Sequence, residues 1–248
     1  MAQAIHDTHR RHRAARAETA RGALLFDPER IAEPDERLLR PSSYGQSSGE
    51  SGRGGRGTVW FVHDGFGAAV LRHYRRGGAL APFNRDRYLF RGEERTRPFR
   101  EFRLLQALHA QGLPVPRPLA ACYARSGAFY RADILLERID DAHTLAEQLR
   151  LRQAVPWREI GALLARFHAV GAFHADLNAH NVLIDGAGAP WLIDFDRGEL
   201  RSAGGWQARN LERLQRSLRK LATARGEAFD DDGWSQLLGG YRGEDLRA

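Results

Sequence analysis

The chain has 248 residues and a mass of 27.9 kDa, and its 42% hydrophobic and 28% charged residues are typical of a folded globular protein. Its single cysteine, Cys122, excludes an intramolecular disulfide and a cysteine-rich zinc site. No apolar run approaches the roughly 20 residues of a membrane-spanning helix, and the basic N-terminus lacks the apolar segment of a secretory signal. These features favour a cytoplasmic protein.

The formal net charge is +7, and the basic residues are almost all arginine, since Lys220 is the only lysine. The planar guanidinium fork binds phosphate and carboxylate groups bidentately. Net positive charge therefore favours an anionic partner: nucleic acid, an anionic membrane surface or a phosphorylated substrate. A genomic preference for arginine over lysine explains the same composition, so charge alone does not choose among these partners.

Residues 1–45 form a basic N-terminal extension whose structure is uncertain from the sequence. Five arginines lie in its first 22 residues: Arg10, Arg11, Arg13, Arg16 and Arg21. Two interpretations stay open, a frayed solvated terminus or a short amphipathic helix that contacts anionic headgroups.

Residues 41–57 are rich in glycine and serine and predict a loop that leads into a β-hairpin. The hairpin strands are predicted over residues 58–62 and 68–74. Part of the loop fits the pattern G-x-G-x-x-G-x-V, in which glycines let backbone N–H groups approach phosphate. The matching residues are Gly52, Gly54, Gly57 and Val59. The register is open, because residues 55–57 could equally form the tip of the loop.

Helical spacing of apolar residues follows in three segments, residues 98–110, 157–170 and 206–225. Between the first two, residues 134–139 have the composition of a buried strand running into a linker, and residues 145–151 predict a short helix. The order predicts an α+β protein with a β-rich N-lobe, residues 46–139, and a mostly α-helical C-lobe, residues 140–248.

Residues 174–196 hold the polar side chains with the clearest spacing. Two short apolar runs, residues 182–184 and 191–193, flank the turn residues 185–188 and predict a β-hairpin. A hairpin returns the chain to where it started, so side chains before and after it should lie close together. Those of chemical interest are Asp176, Asn181 and Asp194. Their side-chain oxygen atoms are suited to binding a metal ion and to activating a hydroxyl group.

The segment His174–Asn181 reads H-A-D-L-N-A-H-N and matches the catalytic-loop pattern H-R-D-L-x-x-x-N except at the arginine. Asp194–Asp196 reads D-F-D where that pattern has D-F-G downstream. On these residues the chain resembles the protein-kinase-like fold, whose two-lobe architecture agrees with the order of elements above.

Within that superfamily the chain resembles the bacterial 3-deoxy-D-manno-octulosonic acid (Kdo) kinases, over about residues 50–225. The similarity lies in three segments, residues 71–78, 174–201 and 210–220. It implies ATP-dependent phosphorylation of the 4-hydroxyl of a Kdo residue on a lipid A precursor during lipopolysaccharide core assembly. It also implies peripheral association with the anionic cytoplasmic face of the inner membrane. No nucleic-acid partner is expected.

The resemblance implies a role for each matching residue. Asp176 would be the catalytic base, and Asn181 and Asp194 would hold Mg²⁺, which prefers oxygen ligands beside ATP phosphates. Asp196 is a weaker candidate ligand. His174 would brace the loop through hydrogen bonds. For His180 two interpretations stay open, a substrate contact and a structural role.

The main departure from the kinase pattern is the lysine that normally holds the ATP phosphates. The strand motif V-A-I-K reads A-V-L-R here, so Arg72 would do this work. Its expected partner is Glu101, and Glu93 and Glu94 are the alternatives. Arg72 and Glu101 thus join the three glycines as predicted cofactor-binding residues.

The chain after Asp194 has no A-P-E segment and no room for a long activation loop, which argues against a regulated protein kinase. Two alternatives to a Kdo kinase stay open. One is a kinase of another sugar such as heptose, or of an aminoglycoside-like antibiotic. The other is a non-catalytic nucleotide-binding scaffold, suggested by the missing lysine.

Overall fold

The computed structural model describes residues 14–45, 59–75 and 86–244. These residues divide into two compact units. The first contains the chain up to Ala110 and Pro116–Arg138, and the second contains Gln111–Val115 and the chain from Ile139. The predicted phosphate-binding glycines Gly52, Gly54 and Gly57 lie outside the described residues. Strands and helices both contribute strongly, so the predicted α+β class is confirmed.

Within the described residues, the first unit is built on a seven-stranded antiparallel sheet. Its strands are β1 (Ala15–Thr19), β2 (Gly22–Phe26), β3 (Val59–Asp64), β4 (Gly67–His73), β5 (Tyr88–Leu89), β6 (Pro118–Ser126) and β7 (Phe129–Glu137). The strand order is β1-β2-β6-β7-β4-β3, and β5 pairs with β7. The hairpin predicted after the glycine-rich loop is therefore β3–β4, and it joins the sheet through β7.

The strands β1 and β2 were missed by the sequence analysis. Their register pairs Ala15 with Phe26, and β2 continues onto β6. Residues 15–26 are therefore neither a frayed end nor an amphipathic helix, and the sheet begins well before residue 46. Alternating exposure along β1 and a buried apolar run in β2 are strand patterns, but the many arginines obscured them.

Helix α1 (Arg97–Ala110) begins one residue before its predicted start and packs on β6 and β7. Its buried face is aromatic and aliphatic, which explains why an arginine-rich segment folds as a helix here. The fully buried members of that face are Phe99, Phe102, Leu105 and Leu108. On β6, Cys122 pairs with Leu24 of β2 and Asp133 of β7, and burial raises the pKa of its thiol.

The second unit is mostly helical. Its helices are α2 (Leu145–Arg150), α3 (Trp157–Ala169), α4 (Trp206–Ala224) and α5 (Asp231–Arg242). Three short strands, β8 (His143–Thr144), β10 (Val182–Ile184) and β11 (Pro190–Leu192), form one small sheet, and β9 (Ala172–Phe173) pairs with β12 (Glu199–Leu200). The three helices predicted in this region are present, whereas α5 was not predicted. No helix in the described ranges is long and apolar enough to cross a bilayer.

Glycines allow α3 and α5 to pack closely. A Cβ atom added to Gly161 on α3 would lie 1.9 Å from the carbonyl oxygen of Leu237, and one added to Gly240 on α5 would lie 2.0 Å from that of Arg158. Any larger residue at either position would push the two helix backbones apart. Tertiary packing therefore offsets the low helix propensity of glycine in α5.

A histidine lies in the core beside this helix pair. The ring of His168 on α3 packs edge-on against Trp206 and Tyr241, and its Nδ1 lies 2.8 Å from the Tyr241 hydroxyl. Burial lowers the pKa of His168 to about 4. The imidazole is therefore neutral at neutral pH.

Candidate active site

The predicted hairpin after the catalytic loop is present as β10–β11, with Val182 opposite Leu192. The Asp185 carboxylate closes its turn by accepting backbone N–H bonds from Ala187 and Ala189, at 3.0 and 2.8 Å. It also accepts the indole N–H of Trp191 at 2.8 Å. Asp185 therefore has a structural role in the turn. The candidate functional residues lie on either side of the hairpin.

The predicted bracing role of His174 agrees with its buried contacts. The backbone N–H of Asp176 donates to Nδ1 at 3.2 Å, so Nε2 carries the proton and donates to the Ile193 carbonyl at 2.9 Å. The ring also packs edge-on against Phe195, with centroids 4.7 Å apart. Burial lowers the pKa of His174, which keeps it in this neutral form. A single imidazole therefore links the catalytic loop to the chain that leaves β11.

The Asn181 side chain is fixed by the same loop. Its Nδ2 donates to the backbone carbonyl of Asp176 at 2.8 Å, and the backbone carbonyl of Asn181 accepts the Ile193 N–H at 3.1 Å. Because the amide nitrogen donates to the loop, Oδ1 is the side-chain atom that could serve as an oxygen ligand. The bond to Ile193 brings Asn181 next to the start of the D-F-D segment, as the hairpin argument predicted.

Asp194 adopts a left-handed backbone conformation, with φ of 63°. Few residues other than glycine take this conformation, and aspartate tolerates it better than most. The turn buries Phe195, which stacks on Phe167 of α3 at 5.8 Å, while Asp194 itself stays partly exposed. Asp196 is also partly exposed and lies beyond the buried phenylalanine. The aromatic ring therefore anchors the segment and leaves its first carboxylate accessible.

Asp176 is exposed, and its carboxylate Oδ1 lies 3.2 Å from Nη1 of Arg213 on α4. This contact was not predicted, because the apolar spacing over residues 206–225 indicates a helix but no partner for Arg213. His180 is also exposed, and its backbone N–H donates to Asn178 Oδ1 at 2.8 Å in a local turn.

In the first unit, Arg72 lies on β4 and pairs with Glu101 of α1, the partner expected from the sequence. Nη2 of Arg72 is 2.6 Å from both carboxylate oxygens of Glu101, and the Tyr74 hydroxyl donates to Oε2 at 2.5 Å. The side chains are 16% and 1% exposed, so the pair is buried. The contribution of Tyr74 was not predicted.

The alternative partners of Arg72 are engaged elsewhere. Glu93 pairs with Arg16 of β1 at 2.7 Å and accepts the Tyr123 hydroxyl at 2.8 Å. Glu94 pairs with Arg103 at 2.6 Å. The guanidinium of Arg16 and the hydroxyl of Tyr123 both help to lower the pKa of Glu93. Which glutamate supports Arg72 is therefore settled by the fold.

The donor set fits a hard divalent cation. Asn181 and Asp194 offer an amide oxygen and a carboxylate, and Mg²⁺ is commonly held by one or two such groups together with phosphate oxygens. The described ranges contain no cluster of three or more His, Cys, Asp or Glu side chains that would hold a metal unaided.

Comparison with known proteins identifies the class. Residues 46–241 match the model of the lipopolysaccharide kinase (Kdo/WaaP) family, and the chain belongs to that family. It is accordingly a phosphotransferase with a hydroxyl acceptor, and membership of a kinase family implies ATP as the phosphoryl donor.

The chain is also similar to individual members of this family. The chain is 54% identical over 213 residues to a 3-deoxy-D-manno-octulosonic acid kinase of Stenotrophomonas maltophilia (strain R551-3), covering 85% of this chain and 84% of the relative. It is 50% identical over 222 residues to the protein of the same name from Xanthomonas axonopodis pv. citri (strain 306), covering 89% of each. For Xanthomonas oryzae pv. oryzae (strain PXO99A) the identity is 52% over 214 residues.

Proposed function

We propose that this protein transfers the γ-phosphoryl group of ATP to the 4-hydroxyl of a Kdo residue on a lipid A precursor. The observation that carries the proposal is the identity of 50% or more to proteins named Kdo kinases, along most of both chains. The arrangement of Asp176, Asn181 and Asp194 around one hairpin supports the same reaction class.

In this proposal the second unit handles the acceptor and the metal. Asp176, exposed in the loop between β9 and β10, accepts a hydrogen bond from the sugar hydroxyl, orients it and takes its proton as the new P–O bond forms. Asn181 Oδ1 and the Asp194 carboxylate hold Mg²⁺, which when bound neutralises charge on the phosphate oxygens. His174 keeps these groups in register through its bonds to the backbone on either side.

The first unit supplies phosphate contacts. Arg72 binds the α- and β-phosphates of ATP, and Glu101 and Tyr74 hold the guanidinium in place. Gly52, Gly54 and Gly57 are proposed to cover the phosphates with backbone N–H groups. The nucleotide-binding N-lobe is proposed to span residues 46–139 and the acceptor-binding C-lobe residues 140–248, and the preceding residues 15–26 extend the N-lobe sheet.

The direct test is to incubate the purified chain with Mg-ATP and a Kdo-bearing lipid A precursor, and to locate the phosphate by mass spectrometry. We expect one phosphate on the Kdo unit at the 4-position, and none with the Asp176→Ala variant. Phosphorylation of heptose or an aminoglycoside instead of Kdo would replace the acceptor but keep the enzyme class. ATP binding without transfer to any acceptor would favour a scaffold.

We also propose that the chain binds the anionic cytoplasmic surface of the inner membrane peripherally, because its proposed acceptor is a lipid. The candidate contacts are the basic N-terminal residues and the arginines of α4. Some of these arginines have partners within the chain: Arg16 pairs with Glu93 at 2.7 Å, and Arg219 lies 3.7 Å from Asp231. Arg216 lies 3.8 Å from Glu212, and both Arg209 and Arg216 are exposed. Sedimentation with anionic vesicles should be lost at high salt, and salt-insensitive binding would contradict the electrostatic contact.

A further inference from the structure

Helix α4 presents a polar stripe to the catalytic loop. Asn210, Arg213 and Ser217 are spaced three and four residues apart, which places them along one side of the helix. The buried amide of Asn210 accepts the His174 backbone N–H at 3.4 Å and donates to the His174 carbonyl at 2.9 Å. Ser217 Oγ accepts the backbone N–H of Ala179 at 3.2 Å. The helix therefore holds the loop at two points, one on each side of Asp176.

Arg213 lies between those two points and reaches the catalytic carboxylate. One guanidinium nitrogen, Nη1, contacts Asp176 Oδ1 at 3.2 Å, and the side chains are 47% and 52% exposed. Asp176 is the one carboxylate within ion-pair distance of Arg213 in the described part of the chain. A single exposed contact of this kind contributes little to folding and leaves the other N–H donors of the fork for a ligand.

The acceptor under the proposed function is itself an acid, and its carboxylate and its 4-hydroxyl belong to the same sugar. A hydroxyl placed on Asp176 brings the rest of that sugar next to Arg213, since the two side chains are only 3.2 Å apart. Arginine is the side chain best suited to bind a carboxylate bidentately.

We propose that Arg213 is the binding group for the carboxylate of the acceptor sugar. This inference rests on the proposed function and adds a specificity determinant to it. When the sugar binds, Arg213 contacts the substrate carboxylate and Asp176 contacts the hydroxyl. A neutral sugar cannot provide the anionic partner, so it would be bound more weakly. The polar stripe keeps the loop and the helix together throughout, because its other bonds do not involve the guanidinium.

The test compares two acceptors, the Kdo-bearing lipid A precursor and the same molecule with the Kdo carboxyl converted to a neutral amide. Steady-state kinetics are measured for the full chain and for Arg213→Gln, Arg213→Lys and Lys220→Gln, the last a control that removes a charge from the same helix. For Arg213→Gln we expect the acceptor KM to rise by about 10- to 100-fold, the range for a lost charge-assisted bond. The KM for ATP should be unchanged, Arg213→Lys intermediate and Lys220→Gln similar to the unaltered chain.

The amide acceptor shows whether Arg213 recognises the acceptor carboxylate or only orients Asp176. If Arg213 binds the carboxylate, the unaltered chain and Arg213→Gln should have the same acceptor KM on the amide. An equal loss on both acceptors, or a fall in kcat with the acceptor KM unchanged, would overturn the inference and make Arg213 a positioning residue. If the unaltered chain phosphorylates neither acceptor, the proposed function itself fails, and this inference with it.

Discussion

At the scale of single residues, the two aspartates of the candidate site differ in their surroundings. Asp176 is exposed beside Arg213, whereas Asp194 occupies a left-handed turn anchored by the buried ring of Phe195. Asp176 thus faces solvent, where an acceptor can approach. Asp194 is held by the backbone next to Asn181, where a cation would be bound.

Exchanging each aspartate for asparagine should therefore have different effects. Asp176→Asn removes the proton acceptor and should lower the transfer rate by about 10²- to 10⁴-fold while nucleotide affinity changes little. Asp194→Asn should abolish the increase in nucleotide affinity that Mg²⁺ produces. Titration of a fluorescent ATP analogue, with and without Mg²⁺, measures the second effect. Equal loss of nucleotide binding in both variants would contradict the assignment.

The ion pair of Arg72 with Glu101 offers a matched comparison. Arg103 and Glu94 also approach to 2.6 Å, but their side chains are 47% and 59% exposed, against 16% and 1% for the buried pair. Arg72→Gln leaves a carboxylate buried without its cation and should cost about 3 kcal/mol or more in the free energy of unfolding. Arg103→Gln should cost no more than about 1 kcal/mol.

Urea-induced unfolding of both variants checks this difference, and nucleotide titration adds a functional readout. Arg72→Gln should also weaken ATP binding, whereas Arg103→Gln should leave it unaltered. If the two variants lose the same stability, burial of the Arg72–Glu101 pair has no energetic consequence.

Two groups of residues in the candidate site were predictable: those of one short segment, and the Arg72–Glu101 pair, which the kinase pattern implies. Asp176, Asn181 and Asp194 follow from spacing and from the return of a hairpin. Arg213 and Asn210 did not, because apolar periodicity shows which side of α4 is buried but not which polar residue meets a loop more than 30 residues away.

At the scale of elements, the contrast between α4 and α5 shows what local patterns can predict. Leucine spacing in α4 gave its bounds to within a residue. The sequence of α5, DDGWSQLLGGYR, contains three glycines, each unfavourable inside an isolated helix, and was not predicted. It is helical because Gly240 allows its backbone to contact that of α3 at Arg158. Likewise β1 depends on pairing with β2 rather than on its own composition.

Neighbouring glycines of α5 should respond in opposite ways to alanine. A Cβ at Gly240 would lie 2.0 Å from a backbone oxygen, whereas one at Gly239 would make ordinary contacts with two side-chain ends, the Arg158 guanidinium at 3.5 Å and the Glu244 carboxylate at 3.7 Å. Gly240→Ala should cost about 2 kcal/mol or more through overpacking, and Gly239→Ala should stabilise the helix by up to about 1 kcal/mol. Thermal unfolding of the two variants measures the effect. A stabilised Gly240→Ala chain would show that the helices can move apart freely.

At the scale of the whole molecule, buried histidines couple stability to pH. Burial lowers the pKa of His168 to about 4 and also lowers that of His174, so both are neutral in the folded chain. In the unfolded chain they bind protons at the ordinary pKa of about 6.5. The unfolded state therefore binds more protons between these values, and the free energy of unfolding decreases as the pH falls.

His73 has the opposite sign, since its bond to Asp133 raises its pKa. The stabilisation that His73 contributes is complete below about pH 6.5, the ordinary pKa of histidine. It is lost as the pH rises through the raised pKa of His73 in the folded chain, which is above the pH range in which His168 acts. Urea unfolding at about pH 7 and about pH 5 should thus show lower stability at the acidic value. His168→Asn should reduce this difference and leave the part due to His174. An unchanged pH dependence would contradict a role for His168.

The thiol of Cys122 on β6 offers a chemical probe of the folded sheet. Cys122 lies between β2 and β7, and the raised pKa of its thiol suppresses the thiolate that alkylating reagents attack. Modification by iodoacetamide should therefore be slow in the folded chain, where the thiol is partly buried, and faster in molecules in which these strands have separated. Because the chain contains no other cysteine, the alkylation rate reports on this position without an introduced label. A nucleotide that binds the closed sheet would slow the reaction, so occupancy could be followed without measuring phosphoryl transfer.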